Sequence, residues 1–114
     1  FQDALTRRAT LLREWTLFLD RFPVVLMPAS GELPFRDNSD SESFEGFERI
    51  MAAQLPQVGL PLLSLPGLTV STSLVGTVPV GVQLVGPRYR EDVLLAAGEA
   101  IEAGGTPPAP IDPA

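Results

Sequence analysis

The sequence predicts an α/β fold in which helices flank short buried strands, and three observations carry that prediction. Apolar residues recur at helical spacing in three segments that Pro and Gly separate from one another. Two short β-branched runs, Val24 to Met27 and Pro79 to Val85, are bounded by the same punctuating residues. Between Ile50 and Pro87 there is no charged residue at all. Strands buried on both faces read as near-continuous apolar runs of this kind.

The first helix is expected from Asp3 to Arg21, where Leu5, Ala9, Leu12, Trp15, Leu19 and Phe22 recur every three or four residues. Pro23 stops it, and Val24 to Met27, ending at Pro28, reads as a strand. Ala29 to Ser43 is rich in Ser, Gly, Asp, Asn and Pro and reads as a long loop, of the length that is usually functional or disordered. A second helix starts near Ser41 or Ser43, where a hydroxyl caps free amides and Glu42, Glu45 and Glu48 complement the positive helix end. Its apolar stripe is Phe44, Phe47, Ile50, Met51 and Leu55, and Gln54 to Pro56 ends it. Leu62 to Pro66 is expected as a strand and Pro79 to Val85 as another, with Thr69 to Val78 between them as a connection able to pair as a hairpin. The third helix runs from Arg90 to Ala103 and stops at Gly104-Gly105. From Thr106 the chain is Pro-rich and expected to be extended or disordered.

Composition excludes several chemistries. The chain of 114 residues has no Cys, no His and no Lys; its eight basic residues are all Arg, against fourteen acids, for a net charge of −6. No disulfide, zinc-thiolate site or thiol nucleophile is available, and a serine here lacks both of its usual activating bases. The acidity argues against a nucleic-acid partner. A membrane span is excluded because Pro56, Pro61, Pro66 and Pro79, with Gln54, Gln57 and Ser64, interrupt every apolar window of about 20 residues. No metal or cofactor is expected. The acidic pairs Asp37 with Asp40 and Glu42 with Glu45 do not have calcium-loop spacing and read as solvated. The chain begins with Phe, so it is expected to be a truncated or processed product, or a piece of something longer. A domain of this size buries only about 65% of its unfolded surface, too little to cover a two-sided sheet well.

Three strings carry a family resemblance: Gly59-Leu60-Pro61-Leu62-Leu63-Ser64-Leu65-Pro66, then Pro79-Val80-Gly81-Val82-Gln83-Leu84-Val85-Gly86, then Glu91-Asp92-Val93-Leu94-Leu95-Ala96-Ala97. Together they resemble the C-terminal end of the amidase signature family, where G-L-P-x-x-S-x-P and P-x-G-x-Q-x-x-G strands sit in a large mixed sheet. The helix before Pro23 and the strand Val24 to Pro28 resemble family elements in looser form. The resemblance implies residues 1–103 as the C-terminal segment of an amidase domain and 104–114 as a tail. It implies an amide hydrolase working through a serine acyl-enzyme, with a second serine and a lysine base. No residue of this chain takes a catalytic role, since it has no Lys. The implied partners are a small-molecule amide and the missing N-terminal part of the enzyme, with a homo-oligomer left open and the cytoplasm as compartment. The asparagine that often precedes the G-L-P motif is replaced here by Gln54 and Pro56. Arg49 aligns where glutamine-acting members tend to carry an acid, which speaks against the glutaminyl-tRNA type. The other reading is a stand-alone, non-catalytic interaction module derived from an amidase.

Within that resemblance the candidate substrate-binding residues are Phe47, Arg49, Met51 and Gln54. Each has a plainer reading beside it. Phe44, Phe47, Ile50 and Met51 at helical spacing are what any core stripe shows, and Arg49 suits either a substrate carboxylate or a surface ion pair. Ser64 reads as a core hydroxyl, and Gln83 as a buried amide that bonds neighbouring backbone or braces a catalytic loop.

Overall fold

The computed structural model describes residues 1–105; the tail from Thr106 lies outside the described residues. The elements run α1 (Gln2–Arg21), β1 (Val25–Pro28), α2 (Ser39–Glu42), α3 (Phe44–Ala53), α4 (Leu55–Leu63), β2 (Gly67–Val75), β3 (Val78–Val85) and α5 (Glu91–Glu102). The strands form one antiparallel sheet of order β1-β3-β2, with Met27, Gln83 and Thr69 in one row and Leu26, Leu84 and Leu68 in the next.

Alternation along β3 divides the molecule into two apolar clusters. Val85 faces Leu19 of α1 and Leu60 and Leu63 of α4, with Leu12, Trp15, Val25 and Met27 packed around them. Leu84 faces Val70 and Leu94, with Leu68, Val82, Ala97 and Ile101 alongside, so α5 covers the opposite side of the sheet. The chain is therefore mixed helix and sheet with helices on both faces. Cover is uneven. Thr69 and Ser71 leave one face of β2 exposed, while Leu84 and Val85 are almost wholly enclosed.

The hairpin between β2 and β3 turns at Gly76, whose φ of +64° suits glycine. The expected connection from Thr69 to Val78 is thus mostly strand. A register irregularity between Ser71 and Ser73 brings Val70 close to Gly81. A Cβ on Gly81 would lie 2.3 Å from the Val70 carbonyl oxygen, so only glycine fits there.

One expected element is corrected. Leu62 to Pro66 is not a strand: Leu55–Leu63 is helical, and β2 begins at Gly67. Gln54 is the only residue between α3 and α4, and Pro56 sits in the first turn of α4, where its missing N–H goes unneeded. Pro56 ends one helix and starts the next. Helical spacing then buries Leu60 and Leu63 and leaves Leu62 outside. The stop is at Ser64, in the left-handed region at φ 55°, with the Leu65 N–H donating to the Leu60 carbonyl at 3.2 Å. This is the six-to-one bond of a Schellman stop, and its accompanying apolar contact is Leu60 with Leu65. The long loop also contains the one-turn helix α2.

Candidate functional site

Ser43 caps α3 by accepting the Gly46 N–H at 3.0 Å, and this fixes the start of the helix that carries all four candidate residues or their flank. At the other end of α3 the chain after β1 is fastened down. The Gly31 N–H donates to the Ala53 carbonyl at 2.8 Å, and the Gln57 side-chain amide donates to the Ala29 carbonyl at 2.7 Å. Ser30 accepts the Glu32 N–H at 3.2 Å, a serine turn that directs the Glu32 side chain back towards α3.

There Arg49 meets it as a fork. Arg49 Nε donates to both Glu32 oxygens, at 3.0 and 3.1 Å, and Nη2 donates to Oε2 as well. The hydrogen bonds from Arg49 hold the Glu32 carboxyl below its ordinary range, and the carboxylate raises the Arg49 guanidinium. Arg49 in this fold is paired with a carboxylate of its own chain.

Two cavities lie on either side of the segment Glu32 to Phe35, which lines both. The first, about 670 Å³, is bounded by that segment, by Gln54 and Gln57, and by Pro79 to Gly81 at the start of β3. The second, about 640 Å³, is bounded by the segment and by Arg49, Ile50 and Gly46 of α3. The first offers two carboxamides and a carboxylate among apolar walls, a set able to orient a small polar group by hydrogen bonds. It contains no nucleophile with an adjacent base.

Gln54 thus borders the first cavity and Arg49 the second. Phe47 and Met51 border neither: they lie one turn apart on α3, about 200° around the helix from Arg49 for Phe47, and both are exposed. The four residues do not converge on one pocket. Sequence reasoning missed Glu32 and Gln57. Gln57 carried a signal, since it falls one turn after Gln54 within a charge-free stretch. The pairing of Glu32 with Arg49, seventeen residues apart, had none.

Gln83 is buried, and its Oε1 has no hydrogen-bond partner among the described residues. Among the described residues no group of three His, Cys, Asp or Glu could hold a metal ion, and no helix is long and apolar enough to cross a membrane.

No protein-family model matches the chain. Curated proteins do. The chain is 34% identical over 103 residues to an indoleacetamide hydrolase of Bradyrhizobium japonicum, covering 90% of this chain and 22% of that protein. It is 39% identical to a glutamyl-tRNA(Gln) amidotransferase subunit of Streptococcus pyogenes, and 28% identical to its namesake in Fusobacterium nucleatum, in each case over 90% of this chain and 20% of the relative. The chain spans about a fifth of the length of the curated relatives it matches. With the G-L-P-x-x-S-x-P and P-x-G-x-Q-x-x-G strings in place, these matches make the chain an amidase signature family member, corresponding to a C-terminal segment of such a protein.

Proposed function

We propose that the chain is the C-terminal portion of an enzyme that hydrolyses small, non-peptide carboxylic amides, and that it supplies one wall of the substrate entrance but none of the reacting groups. In the whole enzyme a serine oxygen attacks the amide carbonyl, the amine leaves, and water releases the carboxylate from the acyl-serine. The serine and its lysine base belong to the part not represented in these residues. The observation that carries the reading is the first cavity: the segment Ala29 to Phe35, tied to Ala53 and Gln57, closes over carboxamides at the α3–α4 junction. Both names among the relatives, an amide hydrolase and an amidotransferase, support amide chemistry. Gln54 is the side chain of this wall that meets the substrate; Arg49 borders the neighbouring cavity, held by Glu32, and Phe47 and Met51 lie on other parts of the α3 surface.

The alternative, a self-sufficient interaction module, has one observation in its favour: helices of this chain cover both faces of its own sheet. The two readings separate in a chimera in which this chain replaces the segment it matches in the Bradyrhizobium japonicum indoleacetamide hydrolase. If the wall reading holds, Gln54→Ala raises KM several-fold for primary amides and leaves kcat within a factor of a few. Unchanged KM in both Gln54→Ala and Gln57→Ala would remove this segment from the substrate path.

A further inference from the structure

Among the described residues that line the first cavity, Glu32 alone carries a charge. No arginine lines it, and its other polar side chains, Ser30, Gln54 and Gln57, are neutral. Gln57 directs its amide nitrogen to the Ala29 carbonyl at 2.7 Å, so the oxygen at the opposite corner of the carboxamide is left for a ligand. Glu32 is not a loose surface acid. Its backbone N–H donates to the Ser30 hydroxyl at 3.2 Å, and the Gly31 N–H just before it donates to the Ala53 carbonyl at 2.8 Å. Its carboxylate accepts from both Nε and Nη2 of Arg49. The guanidinium that a substrate carboxylate would need is therefore occupied from within the chain. The second cavity, where Arg49 lies, sets Arg36 and Arg49 against Glu32 and Glu42 and offers an anion no surplus of positive charge. A carboxylate entering the first cavity meets a fixed charge of its own sign and no cation on the wall.

We infer that Glu32 is a specificity-determining residue of the entrance: as a carboxylate supplied by the chain itself, it keeps Arg49 from the substrate and restricts the cavity to amides that carry no negative charge. This rests on the proposed function, because the cavity is taken there as part of the substrate path. Specificity comes from a repulsive group set against the wrong ligand as much as from attraction to the right one. Gln54 and Gln57 then bind what is admitted, through hydrogen bonds that require no charge on the ligand.

Phenylacetamide and its para-carboxy derivative differ in charge at the end remote from the amide. kcat/KM is measured for both in the chimera described above and in its Glu32→Gln and Arg49→Gln variants. The two substitutions break the same pair but leave opposite charges behind, so they should move the preference in opposite directions. Glu32→Gln frees Arg49 and should narrow the preference for the uncharged amide by about three-fold or more, while Arg49→Gln leaves Glu32 alone and should widen it by a similar factor. Both changes should appear in KM and fade at high salt. A segment that merely loosens raises KM for both amides in both variants, and that result overturns the proposal. So does a parent chimera that takes the two amides equally well, or a preference that Glu32→Gln leaves unchanged. The isolated full chain gives a second reading that needs no turnover. The side-chain amide NMR signals of Gln54 and Gln57 are followed as each amide is added. The uncharged amide should shift them at concentrations about three-fold or more below those the anionic one needs, with the gap closing in Glu32→Gln. Equal midpoints, or no shift with either amide, refute the assignment. Hydrolysis is scored separately: charge-selective binding without turnover keeps the role of Glu32 and removes the proposed activity, and turnover indifferent to residue 32 does the reverse.

Discussion

Arg8 of α1 donates from Nη2 to the Ser64 hydroxyl at 3.0 Å and from Nε to the Leu62 carbonyl, so one side chain of the first helix closes the C-terminal end of the fourth. A guanidinium there satisfies carbonyl groups left free at the helix end and complements their negative partial charge. Ser64, whose hydroxyl it meets, stands in the left-handed conformation that ends α4.

Removing this contact should loosen α1 from α4. Arg8→Ala is expected to cost about 1 kcal/mol in urea unfolding. Ser64→Ala should cost a similar amount, because it loses the hydroxyl and keeps the left-handed strain. Ser64→Gly loses the hydroxyl but relieves that strain, worth about 1–2 kcal/mol, and should fall near zero or be stabilising. Equal losses for Ser64→Ala and Ser64→Gly would contradict the helix stop.

The helical assignment of Leu55–Leu63 makes a second prediction. Leu60→Ala, at a buried position, should cost about 2–5 kcal/mol, and Leu62→Ala, largely exposed, should stay within about 0.5 kcal/mol.

At the hairpin, Gly81→Ala drives a methyl into the Val70 carbonyl and should cost about 1–3 kcal/mol. Gly59→Ala, in α4 with nothing within 4 Å of the new methyl, should instead stabilise by up to about 1 kcal/mol. Thermal unfolding of the two variants should therefore move in opposite directions.

The Glu32–Arg49 fork sets a pH dependence with a definite sign. The folded-state pKa of Glu32 is lowered, so the pair's contribution is fully present above the ordinary glutamate range and is lost as pH falls through the lowered folded value. Carboxyl NMR should find Glu32 titrating below the ordinary glutamate range. The amide of Gly31, bonded to Ala53, should exchange faster once Glu32 is protonated, and high salt should weaken the effect. Glu32→Gln should remove this low-pH transition.

Much of the fold is legible in the sequence for local reasons. The three amphipathic stripes, the cap at Ser43 and the β-branched run before Pro28 are set by residues close in sequence, and α1, α3, β1 and α5 follow them to within about two residues, the usual uncertainty of an element end. The segment from Leu62 to Pro66 misleads because a short apolar run between Gly and Pro has no period of its own. What decides it is Pro56, which a helix tolerates in its first turn, and the distant Arg8 that meets the carbonyls at the far end. The site was legible only in part for the same reason. Arg49 and Gln54 stand out as a late charge and an amide on one helix, but the carboxylate that occupies Arg49 comes from a loop whose path depends on Ser30 and Ala53.

The central claim is that this chain completes an amide hydrolase whose reacting groups lie elsewhere. Its most direct measurement is ammonia release from indole-3-acetamide, compared between the isolated 114-residue chain and its chimera with the remainder of the Bradyrhizobium japonicum hydrolase. The account predicts turnover by the chimera and none by the chain; ammonia release by the purified chain itself, or a folded chimera that never turns over any amide, would contradict it.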